Sequence, residues 1–225
     1  MIVLLEEAKN VWWIILIIIF PFLLFALIIH EYAHAKVAFW RGDPTAYYEG
    51  RLTLNPFVHF DLLGGGILFL TLVFSAFTRC FGYPFVCFGW AKPVPIDEEI
   101  FQKPRLDRAI VALAGPVSNF LLALAGAILF RINKLFFEVP LDGLNVFLYL
   151  WVNVNLVLSF FNLLPLPPLD GAKILASFLP GELAERLLVP SSYILVTSII
   201  LILIIVNTSW FNLLLQAGMN IFLGG

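Results

Sequence analysis

Residues 11–44 read VWWIILIIIFPFLLFALIIHEYAHAKVAFWRGDP, and this stretch decides the fold. As a helix rising 1.5 Å per residue, Val11 to Trp40 would be about 45 Å long. A hydrocarbon core is about 30 Å thick and needs about 20 residues to cross. The segment is therefore expected to span a membrane and to tilt or protrude. Pro21 removes one backbone hydrogen bond, which a membrane helix tolerates as a kink when neighbouring groups re-satisfy the carbonyl. Arg41-Gly42-Asp43-Pro44 is expected to end the helix.

The rest of the chain agrees with a membrane setting. Of its 225 residues, 61% are hydrophobic and 12% charged, with a mean hydropathy of +0.98, far from the balance of a soluble domain. The 13 basic and 15 acidic residues are scattered singly and give a net charge of -2. No basic tract suggests nucleic acid as a partner, and the lipid bilayer is the expected one. Cys80 and Cys87 match neither a redox pair nor a zinc ribbon and read as free thiols. Glu6 and Glu7 against Lys9 give the N-terminus no signal-peptide character, so the first apolar segment should stay attached.

Further along, Asp107–Phe130 and Gly143–Leu164 are long enough to cross, and a final span is expected over about Ser191–Val206. Trp210–Leu223 is expected to lie along the interface or to return partway. Tyr47 to Asn55 reads as short strands or a hairpin. The run Ile67–Phe77 is short for a crossing and is followed by Arg79, Gly82, Tyr83 and Pro84, which favours a re-entrant excursion over residues 64–90. The expected fold is an all-α polytopic membrane protein of about four full transmembrane helices, a re-entrant segment and a short membrane-associated β-hairpin, up to five or six membrane segments. Residues 1–225 read as one integral-membrane domain, with a core over 11–180 and a C-terminal span and interfacial segment over 190–225.

Basic residues favour the cytoplasmic ends of spans. With residues 64–90 re-entrant, Lys36, Arg41, Arg51, Lys92, Lys103, Arg105, Arg108, Lys173 and Arg186 fall on one face, and Lys9, Arg131 and Lys134 on the other. The larger set places the end of the first span in the cytoplasm and the N-terminus outside.

The chemistry is carried by His30-Glu31-Tyr32-Ala33-His34. On a helix, His30 and His34 stack on one face, so two imidazoles can meet one metal ion while Glu31 stands beside it. Zinc suits neutral imidazole, lowers the pKa of a bound water to about 7, and leaves a carboxylate to take the proton. Hydrogen-bonded packing histidines are the plainer alternative, but two histidines and a glutamate after an apolar run cost several kcal/mol unless paired or ligated. Measured back from Arg41, the histidines lie about 10 to 16 Å inside the helix end. Two histidines leave a catalytic zinc one protein ligand short. Asp170, at the end of the proline-rich stretch Pro165-Leu166-Pro167-Pro168-Leu169-Asp170-Gly171, is the leading candidate, its alternative being the N-cap of a helix running to Phe178.

Three motifs in order, HEYAH, Ala114-Gly115-Pro116-Val117-Ser118-Asn119 and FNLLPLPPLDG (161–171), together with TLNPFVHFD (53–61) and GWAKPVPID (89–97), resemble the site-2 protease family of intramembrane zinc metalloproteases. The resemblance covers about residues 25–180 and is to its short prokaryotic members without PDZ or CBS domains. It implies a zinc metalloendopeptidase with one Zn2+ ion on His30, His34 and Asp170, and Glu31 as catalytic base. It also suggests that Asn162 contacts substrate backbone or a developing oxyanion, packing between helices being the alternative. His59 matches a histidine position of the family and is left with a gating, water-coordinating or structural task. Asn119 is expected to support helix packing beside Ala114, Gly115 and Ser118.

The family implies substrates that are single-pass membrane proteins or signal-peptide remnants. Because carbonyls in a transmembrane helix are hydrogen-bonded and wrapped, such a substrate must unwind locally. The expected hairpin could add the unwound stretch as a strand. Rival readings are a membrane metal transporter, which explains Glu31 poorly, and an inactive protease-like scaffold.

Overall fold

In a computed structural model of the chain, which describes residues 12–79, 92–136 and 143–224, the opening apolar stretch is one helix, α1 (Trp12–Trp40), continuous through Pro21. One stripe of it is made of Ala26, His30, His34 and Ala38, spaced by four and all buried. Residues four apart share a helix face, so this stripe is the contact face. The 33-residue helix α5 (Pro104–Phe136) packs against it with Val111, Gly115 and Asn119, spaced in the same way and also buried. Alanine and glycine at these positions let the two backbones approach closely.

Between α1 and α5 lie two single turns, α2 (Thr45–Tyr48) and α3 (Pro56–His59), then α4 (Leu62–Arg79), an extended stretch over 92–97 and a 3-10 turn (Glu98–Ile100). The β-hairpin expected around Tyr47 to Asn55 is absent, and the described residues contain no strand. Local side-chain bonds to the backbone, an Asx turn at Asp43 and a cap at Asn55, override the weak alternation there. The Asp43 side chain accepts from the Thr45 N–H at 2.9 Å, and the Asn55 side chain accepts from the Phe57 N–H at 3.1 Å with Pro56 at the first helical position. The chain instead folds back on α2, as the N–H groups of Arg51 and Leu52 both donate to the Ala46 carbonyl. Without a strand at this place, the strand-addition route for substrate falls with it. Cys80, Cys87 and the second half of the expected re-entrant excursion lie outside the described residues.

Helix α6 (Gly143–Asn162) packs along α5 and ends at the proline-rich turn, after which α7 (Asp170–Phe178) packs back on α5. Next, α8 (Gly181–Leu188) and α9 (Ser192–Val206) meet at 72°. The last helix, α10 (Ser209–Leu223), is part of the bundle: Met219 and Leu223 join Ala123, Ala127, Val152 and Leu156 in one buried cluster. Its C-terminal end is held by Arg131, whose Nε donates to the Phe222 carbonyl at 2.7 Å, a cation on the terminal carbonyls.

Three helices among the described residues are long and apolar enough to cross a membrane, Ile19–Trp40, Pro104–Phe136 and Gly143–Asn162, or four with the bent α8–α9 pair as one broken span. Leu113, Val117, Phe120, Leu121, Leu124 and Ile128 of α5 are exposed. Such a band is costly in water and normal against lipid. The protein is thus an all-helical multi-pass membrane protein.

Candidate metal centre

Helical spacing brings the two imidazoles of α1 together, with ring centroids 4.7 Å apart and planes at 83°. Asp170 comes from the other end of the chain. Its carboxylate Oδ2 lies 2.9 Å from Nε2 of His30 and 3.1 Å from Nε2 of His34. All three residues are buried, and their ligand atoms lie within 4.8 Å of one another. Leu169, not Asp170, occupies the N-cap of α7 and makes no side-chain cap bond. The carboxylate is therefore spent on the histidines rather than on capping.

Second partners fix the ring tautomers. Nδ1 of His34 lies 2.7 Å from the Val111 carbonyl, which can only accept, so Nδ1 carries the hydrogen. Nδ1 of His30 lies 2.6 Å from Oδ1 of Asn119, while Nδ2 of Asn119 donates to Oδ1 of Asn155 at 3.1 Å and to the Ala26 carbonyl at 3.3 Å. The amide orientation follows from these two acceptors, and Nδ1 of His30 is again the donor.

The consequence is chemical. With hydrogens on both Nδ1 atoms, neutral His30 and His34 aim bare Nε2 lone pairs at each other and at a carboxylate. Three lone-pair donors facing one point, one of them an anion, repel unless a cation lies among them. Two imidazole nitrogens and one carboxylate are the donor types of a catalytic zinc set, each ring oriented by an outer hydrogen bond.

Two glycines make the room. A Cβ at Gly115 would overlap Nε2 of both histidines, so this residue gives the donors their space as well as letting the helices approach. A Cβ at Gly171 would overlap the carbonyls of Leu163 and Leu164, so glycine lets the start of α7 abut the end of α6 and aim Asp170 inward. Lys173 Nζ lies 3.6 Å from the second carboxylate oxygen.

Glu31 is not one of the three convergent donors. Its Oε2 accepts from the backbone N–H of Val94 at 3.0 Å, leaving a carboxylate beside the centre rather than in it. His59 also stands outside the set: its buried ring meets the Thr53 carbonyl through Nε2 at 2.7 Å. Asn162 sits half-buried at the end of α6 with Nδ2 on its own helix's Leu158 carbonyl at 3.0 Å. Asn119 does more than support packing, and Asn155 behind it was not visible as a site residue. The usable signal was the shared spacing, since Gly115 and Asn119 are four apart, as are His30 and His34.

Fold and centre together define a membrane-embedded peptidase. The model of peptidase family M50 matches residues 131–207, the segment that includes Asp170. The chain is 41% identical over 181 residues to YwhC of Bacillus subtilis strain 168, named "Putative zinc metalloprotease YwhC", covering 77% of this chain and 76% of that protein. It is 30% identical over 197 residues to Rip2 of Mycobacterium tuberculosis strain Erdman, named "Putative zinc metalloprotease Rip2", covering 84% of this chain and 67% of that protein. No solved structure matches it. The chain belongs to peptidase family M50, and the resemblance to site-2 proteases holds.

Proposed function

We propose that this chain is an intramembrane zinc metalloprotease that hydrolyses peptide bonds within or near transmembrane segments, with His30, His34 and Asp170 holding one zinc ion and Glu31 acting as general base. The observation that carries it is the convergence of the three lone-pair donors beside a carboxylate that is not one of them. Zinc in such a set supplies a Lewis acid that polarises the scissile carbonyl and makes a water acidic enough to attack near neutral pH. Asn119 and the Val111 carbonyl orient the two rings, and Glu31 takes the proton from the attacking water and returns it to the leaving amine. Asn162, eight residues before Asp170, offers an amide to the substrate backbone or the developing oxyanion.

Substrates are single-pass membrane proteins or signal-peptide remnants that unwind locally before cleavage, because a helical carbonyl is closed to attack. The basic-residue bias supports a centre in the cytoplasmic half of the bilayer and an N-terminus outside. A purified sample in detergent with a synthetic single-pass peptide tests the function. Cleavage that stops with a zinc chelator and resumes on adding zinc supports it; cleavage indifferent to the chelator overturns it.

A further inference from the structure

Two sequence stretches, TLNPFVHFD and GWAKPVPID, have no task in a centre built from His30, His34, Asp170 and Glu31. The described part of the second, Lys92 to Asp97, meets the first at the His59 carbonyl and meets Glu31 through Val94. It runs without helix across α1 and presents the Val94 N–H to Oε2 of Glu31. Pro93 and Pro95 on either side have no N–H to offer, and each holds the residue before it extended. Val94 is thus a single donor on a stiff strap.

Both ends of that strap are tied down. The Lys92 N–H donates to the His59 carbonyl at 2.9 Å. Nη2 of Arg51 donates to the carbonyls of Lys92 at 2.8 Å and Pro93 at 3.1 Å. At the far end the Asp97 N–H donates to Oδ2 of Asp43 at 2.9 Å. The Val94 side chain packs with Ala35 and Ala46. Arg51 is 7% exposed and Asp43 fully buried, and burying charged groups is costly; the bonds of Arg51 to the strap run through Nη2, its Nε being buried without a partner.

We propose that this strap is the device that positions the general base. The Val94 N–H fixes one oxygen of Glu31 so that the other is left for the proton. Arg51, gripping the two carbonyls just before Val94, is the positioning residue that sets where that N–H lies. His59 serves the same device, its ring pinned to Thr53 and its carbonyl to Lys92, which gives it a structural task away from the metal. The inference rests on the reading of Glu31 as base.

The test measures bound zinc, kcat and KM on one synthetic single-pass peptide for wild type, Arg51→Gln, Arg51→Lys and a chain with an ester in place of the Val94 amide, which replaces the N–H donor by an oxygen. The ester chain and Arg51→Gln are expected to hold wild-type zinc and to lose about 10- to 100-fold in kcat per bound zinc, with KM within about twofold. Arg51→Lys should recover part of that loss, because an ammonium keeps the charge and can donate to these carbonyls but sits on a stem that does not end where Nη2 lies. Wild-type kcat per bound zinc in the ester chain overturns the proposal. So does loss of zinc in step with activity, which would assign the strap to the fold alone. If wild type itself fails to cleave, the protease reading falls; if wild type cleaves and the variants match it, only the strap's role does.

Discussion

Asp170 Oδ2 lies 2.9 Å from Nε2 of His30, although 140 residues separate them in the chain. One carboxylate oxygen and two imidazoles from opposite ends of the core share a point that needs a cation, and the helices are arranged so that they meet. The consequences of that arrangement can be measured.

Gly115→Ala places a methyl group against both Nε2 atoms. The variant is expected to fold, since alanine favours helix, but to lose bound zinc and activity together. Metal analysis of the purified variant checks this, and full zinc loading would contradict the role of Gly115.

Asn119→Ala removes the acceptor that orients His30 and leaves Asn155 without its donor. Removing an outer-shell partner typically weakens metal binding about 10- to 100-fold. Competition with a zinc-binding dye should show a loss of that order, with the helical circular dichroism unchanged.

Asn162→Ala is expected to leave zinc binding intact, because Asn162 lies outside the three-donor set. Its effect should fall on turnover, with a loss in kcat/KM of about 10-fold or more if the amide meets substrate or oxyanion. Steady-state kinetics on a synthetic single-pass peptide decide it; unchanged kinetics would return Asn162 to helix packing.

Asp107→Ala tests the junction between α1 and α5. The Asp107 carboxylate accepts from Nε and Nη2 of Arg41 at the end of α1 and from the Lys103 N–H at the start of α5. Asp107 is fully buried but the Arg41 side chain is 36% exposed, which moderates the cost of a broken buried pair to about 1 to 3 kcal/mol. Thermal unfolding in detergent should shift down, and zinc should be retained in the cold.

The spans and the donor set were legible in the sequence because each rests on a strong local signal: long apolar runs, the four-residue spacing of His30 and His34, and a carboxylate at a broken helix end. Spacing alone could not choose between ligand and N-cap for Asp170; in the fold Leu169 takes the N-cap, and Gly171 lets α7 abut α6 so that the carboxylate meets the histidines. The expected hairpin does not form because four or five alternating residues carry little energy against local side-chain bonds to the backbone, an Asx turn at Asp43 and a helix cap at Asn55. Arg51, Val94 and Asn155 went unseen for a different reason: their partners are far away in sequence, and backbone N–H and carbonyl groups leave no mark on composition. The final helix, α10, joined the bundle because Met219 and Leu223 found Leu156 and Ala123, a contact that apolar character alone cannot specify.

The most direct test of the central claim is the comparison of wild type and Glu31→Gln for both bound zinc and cleavage of a synthetic single-pass peptide. The account predicts one zinc per chain in both proteins, with cleavage abolished in Glu31→Gln, because the amide keeps the hydrogen bond to Val94 but cannot take a proton. Equal cleavage by the two proteins would contradict it.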